Sequence, residues 1–117
     1  MDPLKSYDKE IRPWGSFERF TLNEKSTVKI ITVLPNESFS LQKHSHRSEF
    51  WKIISGTGVI TIGDDKRNVL VGDEMTVPPE TEHRVEAGDK EVIILEIAFG
   101  EFDENDIERI EDKYGRA

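Results

Sequence analysis

The 117-residue sequence contains no cysteine. Disulfide scaffolds and cysteine-based zinc ribbons are therefore excluded, and any metal must rest on nitrogen and oxygen ligands. Histidine is also scarce, with three in the whole chain. No apolar run approaches the ~20 residues needed to cross a bilayer, and no hydrophobic leader precedes the first charges. The expectation is a soluble cytoplasmic protein with no membrane partner. Basic residues are in the minority, 16 against 24 acidic ones, for a net charge of −8. Nonspecific nucleic-acid binding depends on basic surfaces and is not expected. A small anionic ligand in a local basic pocket remains compatible with that charge. There is no internal repeat, low-complexity tract or linker, and the length suits one domain over residues 1–117.

Short β-rich runs fill most of the chain: 16–22, 27–34, 38–44, 50–55, 58–62, 68–71, 75–77, 84–87 and 91–99. Turn signals such as "NEKS", "PN", "GDDK" and "GDK" separate them. This spacing predicts an all-β sandwich or barrel over 12–100. The run "VIILEIAF" is almost wholly apolar, as expected of a strand buried on both faces. Residues 103–114, "DENDIERIEDKY", differ in having Ile107 and Ile110 three apart, acids at the start and Gly115 beyond the end. They predict a short C-terminal helix covering an open end of the barrel. Trp14, in "RPWGS", is expected to pin the N-terminal segment onto the barrel.

Two of the three histidines fall in "LQKHSHRSEFW", residues 41–51. Strand alternation gives Gln42, His44 and His46 one face, and Phe39 and Leu41 the other. That apolar face needs a cover, either the N-terminal segment or a second subunit, so a homodimer is expected. A hairpin brings Glu49 back beside His44, with Trp51 on Glu49's face, and Gly56 ends that strand. The third histidine, His83, begins a strand after Gly72 and the bend at Pro78-Pro79. Convergence of Gln42, His44, Glu49 and His83 would hold one divalent metal ion: zinc, manganese, cobalt, nickel or iron(II). The competing reading is a solvated hairpin and an unrelated surface histidine.

These motifs resemble the cupin family. Its first motif appears as Gln42, His44, Glu49 and Gly56, with glutamine in place of the first histidine. Its second appears as Gly72, Pro78 and His83, with Glu80 where glycine is usual. More narrowly, "RPWGSFERF", "LQKHSHRSEFW", "SGTG", "VPPETEHRVE" and "EDKYGR" resemble the C-terminal domain of type II mannose-6-phosphate isomerases, over residues 12–116. The resemblance implies a jelly-roll barrel (a double-stranded β-helix) and the same four metal ligands. It also implies an aldose–ketose isomerase that interconverts mannose 6-phosphate and fructose 6-phosphate through an enediol. Guanylyl transfer, found where this domain is fused to a nucleotidyltransferase, is not expected of these residues.

Within that reading Arg47 is assigned to the phosphate or the enediolate, against a plain ion pair. His46 is a candidate proton shuttle or hydrogen-bond partner of the ligands, against an ordinary loop histidine. Lys52 and Arg84 are reserve phosphate binders that alternation points away from the lumen. Ser45, Phe50 and Ile30 depart from the family pattern, and Ile30 stands where relatives often carry a basic residue. Two other functions fit the same barrel: a different metal-dependent cupin enzyme of the dioxygenase type, and a non-catalytic sugar-binding module.

Overall fold

Tight turns separate short β-branched and aromatic runs, and the described residues contain strands and no helix. The structure, a computed structural model, describes residues 4–116. Its first strands are β1 (Asp8–Arg12), β2 (Gly15–Arg19), β3 (Ser26–Val33), β4 (Leu41–Lys43), β5 (Arg47–Ser55) and β6 (Gly58–Ile62). They are followed by β7 (Asp65–Val69), β8 (Glu74–Val77), β9 (His83–Ala87), β10 (Val92–Gly100) and β11 (Glu108–Glu111). β1 and β2 form a hairpin of their own. The rest form two sheets, ordered β3-β10-β5-β8 and β11-β4-β9-β6-β7. The chain crosses from one sheet to the other at nearly every connection, and every neighbouring pair is antiparallel. This is the all-β barrel expected from the strand pattern, in the jelly-roll, double-stranded β-helix form that the resemblance implies.

The two inner faces meet in a core of Trp51, Ile53, Met75, Val77, Val92 and Ile94 from one sheet and Ile60, Val69 and Val85 from the other. A second cluster lies on the outer face of the four-stranded sheet. There Phe50, Ile97 and Phe99 are buried against Leu4 and Phe20. Thus β5 and β10 are buried on both sides, which explains their nearly continuous apolar sequence. On this four-stranded sheet the cover is supplied by Leu4 and Phe20 of the N-terminal segment. Gly56 ends β5 with φ +80, and a Cβ added there would meet the Glu91 carbonyl oxygen at 2.0 Å. The turn therefore needs glycine for both its backbone angle and its clearance.

Three expectations are corrected. Residues 103–114 form no helix; they turn at Asp103–Asp106 and then run as β11 along the edge of β4. The unpaired backbone groups of β4 offer more hydrogen bonds to an extended segment than an isolated short helix could retain. Trp14 lies in the β1–β2 turn and is 74% exposed, so Phe20 does the packing expected of it. Phe39 faces inward, with its ring edge-on to Trp51 at 6.2 Å. Regular strand geometry begins only at Leu41, so alternation counted across Ser38–Ser40 assigns the wrong face.

Candidate metal centre

Strand β5 sends alternate residues to the lumen, and its inward set begins Arg47, Glu49, Trp51. The opposite sheet pairs Gln42 of β4 with His83 of β9 in register, and His44 follows β4 directly. Ligand atoms of His44, Glu49 and His83 lie within 4.8 Å of one another, and all three residues are buried. His44 Nε2 is 3.6 Å from Glu49 Oε2, and His83 Nε2 is 3.9 Å from Glu49 Oε1. Gln42 lines the same cavity, where its Oε1 accepts a hydrogen bond from the Ser40 hydroxyl at 2.6 Å.

Hydrogen bonds on the far side of each ring fix its orientation. His44 Nδ1 lies 2.6 Å from the Asp106 carbonyl oxygen, and His83 Nδ1 lies 2.9 Å from that of Thr81. A carbonyl only accepts, so both rings carry their proton on Nδ1 and turn Nε2 inward. His83 Nε2 is then a buried acceptor with no hydrogen-bond partner among the described residues. Such an atom aimed at a carboxylate is what a shared cation would satisfy, and two imidazoles with a carboxylate suit a borderline divalent ion. The residues fit a metal.

Electrostatics agree with that placement. Burial pushes the His83 imidazole below its usual range, keeping it neutral, as a ligand must be. Burial works to raise Glu49, but the hydrogen bond from Glu96, the two imidazoles and Arg47 together hold it below the ordinary carboxylate range. Glu96 goes the other way. Burial first, then the bond to Glu49 and its charge, raise it to about 8. The pair shares a proton that sits on Glu96.

The cavity beside the cluster has a volume of about 220 Å³ and is mainly polar. Lys29, Arg47, Arg109 and Arg116 give it a cationic wall, while Glu49, Glu96 and Glu104 also line it and Lys29 pairs with Glu104 at 3.1 Å. Arg47 is buried; its Nε donates to Glu49 Oε2 at 3.0 Å, its Nη2 lies 3.1 Å from His44 Nε2, and its guanidinium stacks over Phe102 at 4.4 Å. Arg109 Nε is buried without a partner.

The structure thus brings Gln42, His44, Arg47 and Glu49 to one cavity, with His83 buried against Glu49. His46 is not brought there. The chain bends at Ser45–His46, so His46 leaves the face of Gln42 and His44 and lies exposed near Asp103 and Asp106. Trp51 packs in the core, and its indole N–H donates to Glu49 Oε1 at 3.1 Å. Lys52 and Arg84 pair with Glu18 and Glu111 outside the lumen, as alternation indicated. Ile30 is 63% exposed on the outer face, so a basic residue there would point away from the cavity; Lys29 is the β3 cation that faces in. Sequence reasoning missed Glu96, although a lone charge inside "VIILEIAF" marks it. It missed Arg109 because 103–114 read as a helix, whereas strand spacing puts Ile107 and Arg109 on one face.

Residues 2–112 match the family model described as the mannose-6-phosphate isomerase C-terminal domain. The chain belongs to that family. Among curated members, the alginate biosynthesis protein AlgA of Pseudomonas aeruginosa is 42% identical over 108 residues, covering 90% of this chain and 22% of AlgA. The xanthan biosynthesis protein XanB of Xanthomonas campestris pv. campestris is 36% identical over 110 residues, 92% of this chain and 24% of XanB. A Salmonella montevideo mannose-1-phosphate guanylyltransferase is 37% identical over 107 residues, 90% of this chain and 23% of that protein. The chain therefore spans less than a quarter of these family members. Among solved structures, a cupin protein from Bacteroides fragilis superposes with a TM-score of 0.60 at 25% identity, covering 64% of this chain and 65% of its own. CapF, a capsular polysaccharide assembling protein of Staphylococcus aureus, covers 90% of this chain and 32% of its own, with a TM-score of 0.63 at 21% identity. The latter likeness shows the cupin fold alone.

Proposed function

We propose that this chain is a metal-dependent sugar-phosphate isomerase that interconverts mannose 6-phosphate and fructose 6-phosphate. The observation that supports it most is the cationic wall of Lys29, Arg47 and Arg109 beside the His44–Glu49–His83 cluster, within a molecule whose net charge is −8. A cavity this small suits a single metabolite, since drug-sized pockets occupy ~300–1,000 Å³.

Gln42, His44, Glu49 and His83 would hold one divalent cation. Bound there, it would polarise the sugar oxygens at C1 and C2 and stabilise enediolate charge. Arg109, with its free Nε, holds the phosphate together with Lys29; Arg47 stands nearest the ligands and faces the developing oxyanion. The proton-transfer role expected of His46 passes to Glu96, a buried carboxyl on the cavity wall, whereas Glu104 is exposed and paired with Lys29. In the aldose-to-ketose direction Glu96 takes the C2 proton in its carboxylate form, whose share grows as pH rises toward about 8. The C–H electron pair becomes the C1–C2 double bond, and the C1 carbonyl becomes an enediolate oxygen. Glu96 then returns the proton to C1 as the C2 carbonyl forms, while the O2 proton moves to O1.

Purified protein supplied with a divalent metal should produce fructose 6-phosphate from mannose 6-phosphate, and His44→Ala should abolish it. Full activity in that variant would refute the site. Tight sugar-phosphate binding without turnover in the wild type would favour a binding module instead.

A further inference from the structure

The C-terminal segment that replaced the expected helix does more than close the barrel. His44 sits between two contacts that define one tautomer. Arg47 Nη2, which can only donate, lies 3.1 Å from Nε2, and the Asp106 carbonyl, which can only accept, lies 2.6 Å from Nδ1. The same residue holds the bend that carries His44. Its carboxylate oxygens accept the backbone N–H groups of Ser45 and His46, each at 2.9 Å. Asp106 is itself locked, because its N–H donates to the Asp103 carbonyl at 3.0 Å, and that carbonyl also accepts Arg47 Nη1 at 3.3 Å. Beyond the turn, β11 pairs Arg109 with Gln42. One residue, 62 positions along the chain, thus grips His44 by its ring and by its backbone.

We propose that Asp106 is a positioning residue of the metal centre: its carbonyl orients His44, its carboxylate pins the Ser45–His46 bend, and cation affinity depends on both. This rests on the reading that His44, Glu49 and His83 take a divalent cation. Outer partners of metal-bound histidines typically contribute 10–100-fold in affinity. An alanine at 106 keeps the carbonyl but releases the clamp that holds it in place.

The test uses Co²⁺ alone, titrated calorimetrically into chelator-treated protein, with the imidazole ¹⁵N spectrum of the metal-free protein as a second readout. Asp106→Ala should bind Co²⁺ about 10–100-fold more weakly. Its His44 signal should shift from the Nδ1–H form toward a mixture. Asp106→Asn, which keeps one acceptor oxygen, should fall between, and serves if the alanine variant does not fold. Glu108→Ala, on β11 just beyond the turn, removes only the 3.5 Å cross-strand pair with Lys43 of β4 and should bind as wild type. Wild-type affinity in folded Asp106→Ala, or a wild-type His44 in the Nε2–H form, would overturn the proposal. So would an equal loss in Glu108→Ala, which would mean general loosening of β11. A wild-type protein that takes up no Co²⁺ would sink the cation reading and the affinity claim together, and the metal-free spectrum would then decide positioning by itself.

Discussion

Replacing Glu96 by glutamine should make the metal-free protein less sensitive to alkali. Glu96 is 4% exposed, and its carboxyl is raised from 4.5 to about 8. The unfolded chain loses this proton near 4.5, whereas the folded chain keeps it until about 8. Between those limits the native state binds more protons, so stability falls as pH rises. At ~1.4 kcal/mol per pH unit the full effect has a ceiling of ~5 kcal/mol, of which about 4 falls between pH 5 and 8. His83 acts in the opposite sense: burial depresses its imidazole, so stability rises through its unfolded value of 6.5. Glu49, held low, gives stability that is already complete above 4.5. Both residues remain in Glu96→Gln, and their contributions cancel in the difference. The amide has the same shape and can still donate to Glu49. Urea unfolding of chelated wild type and variant from pH 5 to 8.5 should show the variant gaining on wild type by up to ~4 kcal/mol. Two parallel pH profiles would refute the shared proton.

Arg109→Ala should raise KM for the sugar phosphate about 10–100-fold, the loss of one or two charged hydrogen bonds, and leave Co²⁺ affinity unchanged. Steady-state kinetics with an unchanged KM would remove Arg109 from the phosphate site. Gly56→Ala should cost at least ~2 kcal/mol in urea unfolding, because alanine at φ +80 is strained and its Cβ runs into the Glu91 carbonyl. A loss under ~1 kcal/mol would mean that the β5–β6 turn has another geometry.

The sequence carried the barrel and the gathering of His44, Glu49 and His83 because both depend on local signals. Alternation along 47–53 puts Glu49 with Trp51, and the glycine–proline spacing before His83 starts β9 where it can meet them. Failures came where alternation was carried across a break. Phe39 lies before an irregular stretch, and His46 lies on a bend, so neither keeps the phase of the neighbouring strand. The tail misled for a different reason. Acids at its start and glycine beyond its end are helix-cap chemistry, but Asp106 spends its carboxylate on the backbone of Ser45 and His46. Which backbone accepts such a cap is a long-range fact that no local window contains.

The cationic wall inside an acidic molecule implies unusual behaviour toward ionic strength. Under the proposed function, a phosphorylated sugar approaching from bulk would meet repulsion from the outer surface before reaching Lys29, Arg47 and Arg109. Mobile ions screen that outer field over ~8–10 Å but hardly enter the walled recess. Moderate salt should therefore quicken capture, the reverse of what an exposed basic patch would do.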